Sequence, residues 1–258
     1  MLRLPDVTLI AIDAVAHDLT RLAIEDTLER VEPAAIITWS DRPLTTRSGS
    51  YNVLARPESW IEVARLLWYD VPTRVTTSHF LLVQWDSWVL NEAYWDPRWL
   101  DLDYLGAPWG WHGDGLEVGN GGFTLRSTRL ARWVARHERY SVSHPEDVAL
   151  CRVHRHALEA DGFRWASVEE AERFAFERAA PRLAFGFHGA WNFPSVLNRD
   201  RLLQRLELAN DYVRDKVEWK ELMTNARPVL RSAPSSSPPT RTLPSSTPFS
   251  APPASPTS

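Results

Sequence analysis

Val7-Thr8-Leu9-Ile10-Ala11-Ile12-Asp13 is the stretch on which the reading of the fold turns. It is too short to span a membrane, and it ends on a carboxylate. A short unbroken apolar run suits a strand buried on both faces, as in a parallel sheet. Working outward, a helix is predicted from about Asp18 to Val31, with Ile24, Leu28 and Val31 on one side and Glu25, Glu29 and Arg30 among its polar positions. Ala35–Thr38 is a second short strand. Strand, helix and strand in this order open a βαβ unit, the signature of a parallel sheet.

The alternation continues downstream. Pro57 announces a helix over Glu58–Trp68, and Phe80–Gln84 is a buried strand leading to Asp86. Tyr104–Ala107 and Gly122–Leu125 are short strand candidates. Helices are expected over Arg129–His137, Pro145–Glu159 and Glu169–Phe176, with a long amphipathic one over Arg199–Glu221 closing the domain. No internal repeat is present. The fold class is therefore α/β: one domain over residues 1–225, with a mostly parallel central sheet flanked by helices. Residues 226–258 are expected to form a disordered tail. From Ser232 the composition is almost wholly Ser, Pro, Thr and Ala, too poor in apolar surface to offset the entropy of ordering.

Composition narrows the function. The chain has 258 residues, 44% of them hydrophobic, enough for a buried core. A net charge of -4 disfavours a nucleic-acid partner. The lone thiol, Cys151, cannot form an internal disulfide and reads as buried in a helix. It suits a reducing, cytoplasmic location; neither a membrane span nor a charged leader is expected. Thirteen tryptophans, many between Trp85 and Trp111, admit two readings: indole faces stack on sugars, and they also anchor cores.

Four motifs carry possible chemistry. Leu82-Val83-Gln84-Trp85-Asp86 delivers a carboxylate at the C-terminal end of a strand, where open α/β sheets bind ligands and where a hard cation, Mn²⁺ or Mg²⁺, would find oxygen. Gly119-Asn120-Gly121-Gly122-Phe123-Thr124-Leu125 permits close backbone approach to a ligand, without the lysine of a phosphate loop. In Ser143-His144-Pro145-Glu146-Asp147-Val148, Ser143 and Glu146 fit a capping box, which leaves Asp147 free to act as a general base. Phe185-Gly186-Phe187-His188-Gly189 offers a histidine that could bind metal. Each motif also has a plain structural reading: a turn cap, a tight turn, a carboxylate complementing a helix dipole, a satisfied core histidine.

Taken together, Val83–Asp86, Asp103–Trp109, Gly119–Ser127, His144–Val148 and Phe185–Gly189 resemble a family catalogued as domain of unknown function 5672, over roughly Asp6 to Asn192. That family is in turn similar to glycosyltransferases of the GT-A fold. The resemblance implies a nucleotide-sugar donor, a carbohydrate or other hydroxyl acceptor, and a divalent metal held by an Asp-x-Asp motif. Gln84-Trp85-Asp86 stands in that place, with Gln84 where the first Asp would be and Ser87 where the narrower family has Gly. The β-galactosyltransferase and fringe-like branches, which invert the anomeric centre, imply a base in the Glu146-Asp147 pair and a metal site of Asp86 completed by His188.

The expectation is thus a glycosyltransferase with Asp147 as base beside Glu146. The donor lies near Asp13, Asp41, Gln84, Trp85 and Asp86, and the sugar pocket is lined by Trp109, Trp111, Asn120, Gly121 and Gly122. Two alternatives stand beside it: a non-catalytic nucleotide-sugar or carbohydrate-binding domain, to which Gln84 lends weight, and a metal-dependent nucleotidyltransferase or phosphohydrolase.

Overall fold

The computed structural model describes residues 1–44, 49–53, 59–142 and 144–231. The opening run forms β1 (Leu2–Ile12), followed by α1 (His17–Arg30) and β2 (Val31–Ser40). β1 and β2 pair in parallel, with Ile10 opposite Ile37, so the βαβ start is as expected. Its strands are longer than the apolar runs alone indicated. The register shifts between Leu4 and Thr8, around Pro5 and Pro33, which cannot donate to the ladder.

β3 (Ser50–Val53) adds to β2 in parallel. Next comes a helical stretch made of α2 (Trp60–Arg65), a π-helical turn over Leu66–Asp70 and α3 (Val71–Arg74). β4 (His79–Val83) then returns to the far side of β1, again in parallel. The strand order therefore reverses at β1. A crevice at the carboxyl ends of strands flanking such a reversal is where open α/β sheets take ligands.

Beyond β4 the parallel pattern ends. β5 (Ser87–Val89), β6 (Tyr104–Gly106) and β7 (Phe123–Ser127) follow, and β7 runs antiparallel to both β4 and β6. The main sheet has six strands in the order β3-β2-β1-β4-β7-β6. α4 (Thr128–Arg136) is capped by the Ser127 hydroxyl, which accepts from the Leu130 N–H.

The helix expected over Pro145–Glu159 is broken into α5 (Glu146–Val148), a π-helical turn over Ala149–Val153, and α6 (Arg155–Ala160). α7 (Val168–Phe174) carries a capping box between Ser167 and Glu170. It gives way to β8 (Ala175–Phe176), which with β9 (Gly186–His188) and β5 forms a second sheet in the order β5-β9-β8.

α8 (Phe193–Val196) leads to a three-part C-terminal region: α9 (Arg199–Leu208), α10 (Asp211–Arg214) and α11 (Val217–Arg231). The single helix expected over Arg199–Glu221 is therefore not formed. Asn210 accepts the Val213 N–H and starts a new helix, a capping role that a helix interior has no use for. α11 continues past residue 225 with Ala226 buried, and residues 232–258 lie outside the described part.

The tryptophans serve mainly as core. Trp39, Trp68 and Trp99 are among the largest fully buried side chains. Trp88 meets Phe187 edge-on, with ring centroids 4.5 Å apart. Such a pair adds about 0.5–1.5 kcal/mol beyond its area. Cys151 is buried, and the Trp165 Nε1–H lies 3.4 Å from its sulfur.

Candidate active site

The second sheet brings Asp86 and His188 together. In the antiparallel β5–β9 pair Ser87 faces His188, and the Gly189 N–H donates to the Asp86 carbonyl at 3.0 Å. Gly189 takes φ +100°, a conformation other residues rarely adopt. Asp86 is only 6% exposed. Its Oδ1 lies 3.5 Å from His188 Nε2, an ion-pair distance that leaves this oxygen without a hydrogen bond. Ser87 has a use the sequence did not reveal. Its hydroxyl accepts the Gln84 N–H at 2.8 Å and donates to the Gly122 carbonyl at 2.8 Å, tying the Gln84–Asp86 turn to the glycine-rich strand.

His188 Nδ1 has two neighbours, Asn120 Nδ2 at 2.9 Å and Glu177 Oε1 at 3.1 Å. Asn120 is fixed in orientation because its Oδ1 accepts from the N–H groups of Gly122 and Phe123. One ring nitrogen cannot accept from Asn120 and donate to Glu177 at once, so the two neighbours favour different protonation states. Burial favours the neutral ring. The Asp86 and Glu177 carboxylates outweigh it and raise the pKa to about 10, making an imidazolium between two carboxylates at neutral pH. Glu177 Oε2 is buried without a hydrogen-bond partner.

Gly121 and Gly122 are the wedge between this cluster and the acid pair. A Cβ on Gly122 would fall 2.1 Å from His188 Nε2. One on Gly121 would lie 2.9 Å from Asp147 Oδ2 and from Glu146 Oε1. Only glycine allows both approaches.

α5 begins at Glu146 with Pro145 as its cap residue, and Ser143, the other member of the expected capping box, lies outside the described residues. Glu146 accepts from the buried Arg126 guanidinium at 2.8 Å, and Arg126 also lies over the Tyr104 ring. Asp147 accepts the Gly121 N–H at 3.1 Å and the Val148 N–H at 2.7 Å. A helix start ordinarily lowers a carboxylate's pKa. Here burial, with the adjacent Glu146 charge, raises it to about 7.

The other expected residues divide into structural and accessible ones. The Asp13 carboxylate accepts the N–H groups of Val15 and Ala16 at the start of α1. Asp41 pairs with His17, whose hydrogen bond holds its carboxyl below the usual range, and both line a cavity of about 610 Å³. Trp85 packs edge-on against Phe193. Trp109 is 6% exposed, with its ring on Gly119, and has no free face for a sugar. Trp111 is 57% exposed and lines a cavity of about 410 Å³ with Pro108, Glu117 and Glu172. Sequence reasoning missed Glu177, Ser87 as a tie, His17 and Arg126. Only Arg126 lay within a motif already singled out.

The implied cation fits these residues as a two-ligand site. Asp86 Oδ1 is a buried oxygen without a hydrogen bond, and it faces His188 Nε2, which would have to lose its proton to coordinate. Among the described residues no group of three or more His, Cys, Asp or Glu is set to hold a metal. The remaining positions would fall to substrate and water, as is usual for Mg²⁺. No described helix is long and apolar enough to cross a membrane.

Residues 64–188 match the model of a family described as "Protein of unknown function (DUF5672)". The resemblance drawn from the motifs is thus met from Gln84 to His188, while Asp13 and Asp41 fall outside the match. No curated protein matches the sequence. Solved structures similar to the chain include a glycosyltransferase involved in the glycosylation of the major capsid of PBCV-1. Its TM-score is 0.47 at 12% identity, covering 79% of this chain and 99% of that one. Another is the apo-form glycosyltransferase GlyE of Streptococcus pneumoniae TIGR4, with a TM-score of 0.42 at 13% identity over 71% of this chain and 54% of that one.

Proposed function

We propose that the chain is a glycosyltransferase that moves a sugar from a nucleotide-sugar donor to an acceptor hydroxyl with inversion. The observation that carries this reading is the Asn120–Gly122 turn, with an aspartate titrating near 7 on one side and a buried, under-bonded Asp86–His188–Glu177 cluster on the other. A general base is most effective when its pKa lies near the working pH. Asp147 takes the acceptor proton while the acceptor oxygen bonds to the anomeric carbon from the face opposite the leaving group. The bond from that carbon to the donor phosphate breaks, and the nucleoside diphosphate departs. Asp86 and His188 would hold Mn²⁺ or Mg²⁺, and Glu177 would orient the ring through Nδ1–H. Such a cation neutralises charge on the leaving diphosphate. Glu146, paired with Arg126, positions the base and is not itself the base. The lone buried thiol suits a cytoplasmic location.

Single-turnover transfer from a panel of nucleotide sugars tests the assignment. Asp147→Asn should lower the rate by about 10²–10⁴-fold, the range typical of a general base, with donor binding retained. Wild-type transfer by Asp147→Asn would refute the role. A binding-only domain is the second reading. It is favoured by Gln84 and by the imidazolium that fills the gap beside Asp86, and nucleotide-sugar binding without any turnover would establish it.

A further inference from the structure

A diphosphate brings at least two negative charges, and the cluster around His188 carries more carboxylate than cation. Three open cavities, of about 450, 610 and 410 Å³, reach the surface of the described part. Among the described residues lining them, Arg178 is the one Lys or Arg, and it stands in the wall shared by the first and the third. The first cavity is also lined by Glu177, which bonds His188, and the third holds the exposed Trp111. Arg178 therefore stands between the imidazole cluster and the exposed indole.

Its guanidinium is already arranged for an anion. It lies 3.4 Å from the Trp191 ring centroid. That indole is itself fixed, with Nε1–H donating to the Glu177 carbonyl at 3.1 Å and the Asn225 amide bonding its backbone oxygen. A planar fork held flat on a ring loses little freedom when it binds. Arg178 Nη1 donates to Glu221 Oε2 at 2.6 Å, and both side chains are about 40% exposed, at 39% and 42%. An exposed pair of this kind contributes little to stability. Glu221 takes one of the five guanidinium N–H groups and can be displaced by an anion of higher charge.

We propose that Arg178 is a diphosphate clamp, with Glu221 as the internal carboxylate that holds the fork until a diphosphate replaces it. The assignment rests on the nucleotide-sugar reading above, since it names the residue that grips that donor's phosphates. Glu177 and Glu221 line the same cavity, so without Arg178 it would repel anions.

The test is calorimetric titration of the full chain with inorganic pyrophosphate, with and without Mg²⁺. Wild type binds in at least one condition. Arg178→Gln weakens binding by about 10–100-fold, the worth of charge-assisted hydrogen bonds. Arg178→Lys, which keeps the charge but not the fork, falls between. Glu221→Gln tightens binding several-fold. A pair that only held α11 in place would move both partners' variants in the same direction, so the opposite signs are decisive. The clamp is overturned if wild type fails to bind in both conditions, if Arg178→Gln, or Arg178→Lys should the former not fold, binds as wild type does, or if Glu221→Gln binds more weakly. Transfer assays on the same proteins separate the two readings. Transfer with Arg178-independent pyrophosphate binding removes the clamp alone, and Arg178-dependent binding without transfer removes the glycosyltransferase reading alone.

Discussion

Two of the buried ion clusters among the described residues are built with opposite signs. In one, the Asp26 carboxylate of α1 lies between Arg201 and Arg205 of α9. In the other, the His188 imidazolium lies between Asp86 and Glu177. Burial pushes the Asp26 carboxyl up and the Arg205 guanidinium down, against their mutual attraction. The positive excess of that first cluster has cover. Arg205, 1% exposed, lies 4.3 Å from the Trp88 ring centroid and 5.8 Å from that of Phe193. Each cluster leaves two buried atoms without hydrogen bonds: in the first they are Nε and Nη1 of the Arg205 guanidinium beside those rings, in the second Asp86 Oδ1 and Glu177 Oε2. A cluster whose spare charge lies on aromatic faces pins helices together. In the other cluster the spare atoms are carboxylate oxygens, and Glu177 lines an open cavity.

The largest effect that would sharpen this contrast is on stability. Asp26→Asn leaves Arg205 buried with no anion. It should cost about 3–5 kcal/mol, read as a fall in Tm of roughly 10 °C. Asp86→Asn should leave Tm nearly unchanged and abolish Mn²⁺ binding, followed by calorimetry or by the paramagnetism of the bound ion. Glu177→Gln should weaken Mn²⁺ by about 10–100-fold, as is usual when the partner of a ligating histidine is lost. Equal losses of Tm in Asp26→Asn and Asp86→Asn would make the two clusters equivalent and end the contrast.

A smaller effect concerns pH. Asp147 has a folded pKa of about 7 against an ordinary 3.8, so the folded chain binds that proton more tightly than the unfolded chain does. The stability this residue contributes is whole below pH 3.8 and is lost as pH rises through 7. The transfer rate runs the other way, rising through pH 7 as the base loses its proton. Asp147→Asn should therefore raise Tm by a few degrees above pH 7 and leave it unchanged near pH 4, while removing the rising limb of the rate profile. A Tm difference independent of pH would show that Asp147 does not titrate in this range. The smallest expected effect is that of deleting 232–258, a segment poor in core-forming residues. Tm and pyrophosphate binding should stay as they are, and a clear drop in either would give that segment a structural role.

How much of this was legible in the sequence depended on the length of each pattern. β1, α1 and β2 were readable because an unbroken apolar run followed by a helical stripe leaves few alternatives. The antiparallel sense of β7 was not, since a short strand looks the same in either direction. The second sheet, with strands of two and three residues, has no period to detect, and with it went Glu177, which reaches His188 only through the pairing of β8 with β9. Asp86, Asp147 and His188 were singled out because each sits in a distinctive string. Glu146 was assigned a cap on spacing alone, and its ion pair with Arg126, 20 residues away in the chain, had no local signal.

The exposed Trp111 gives the protein an optical probe of its own. It is the only tryptophan among the exposed large hydrophobics of the described residues; the others described are buried or half-buried. Water relaxes around its excited ring and places its emission to the red of that of the buried indoles. A sugar seated in the cavity beside it would shift the emission to the blue and shield the ring from acrylamide. Occupancy of that cavity could then be followed in real time with the unlabelled chain, before any acceptor is known.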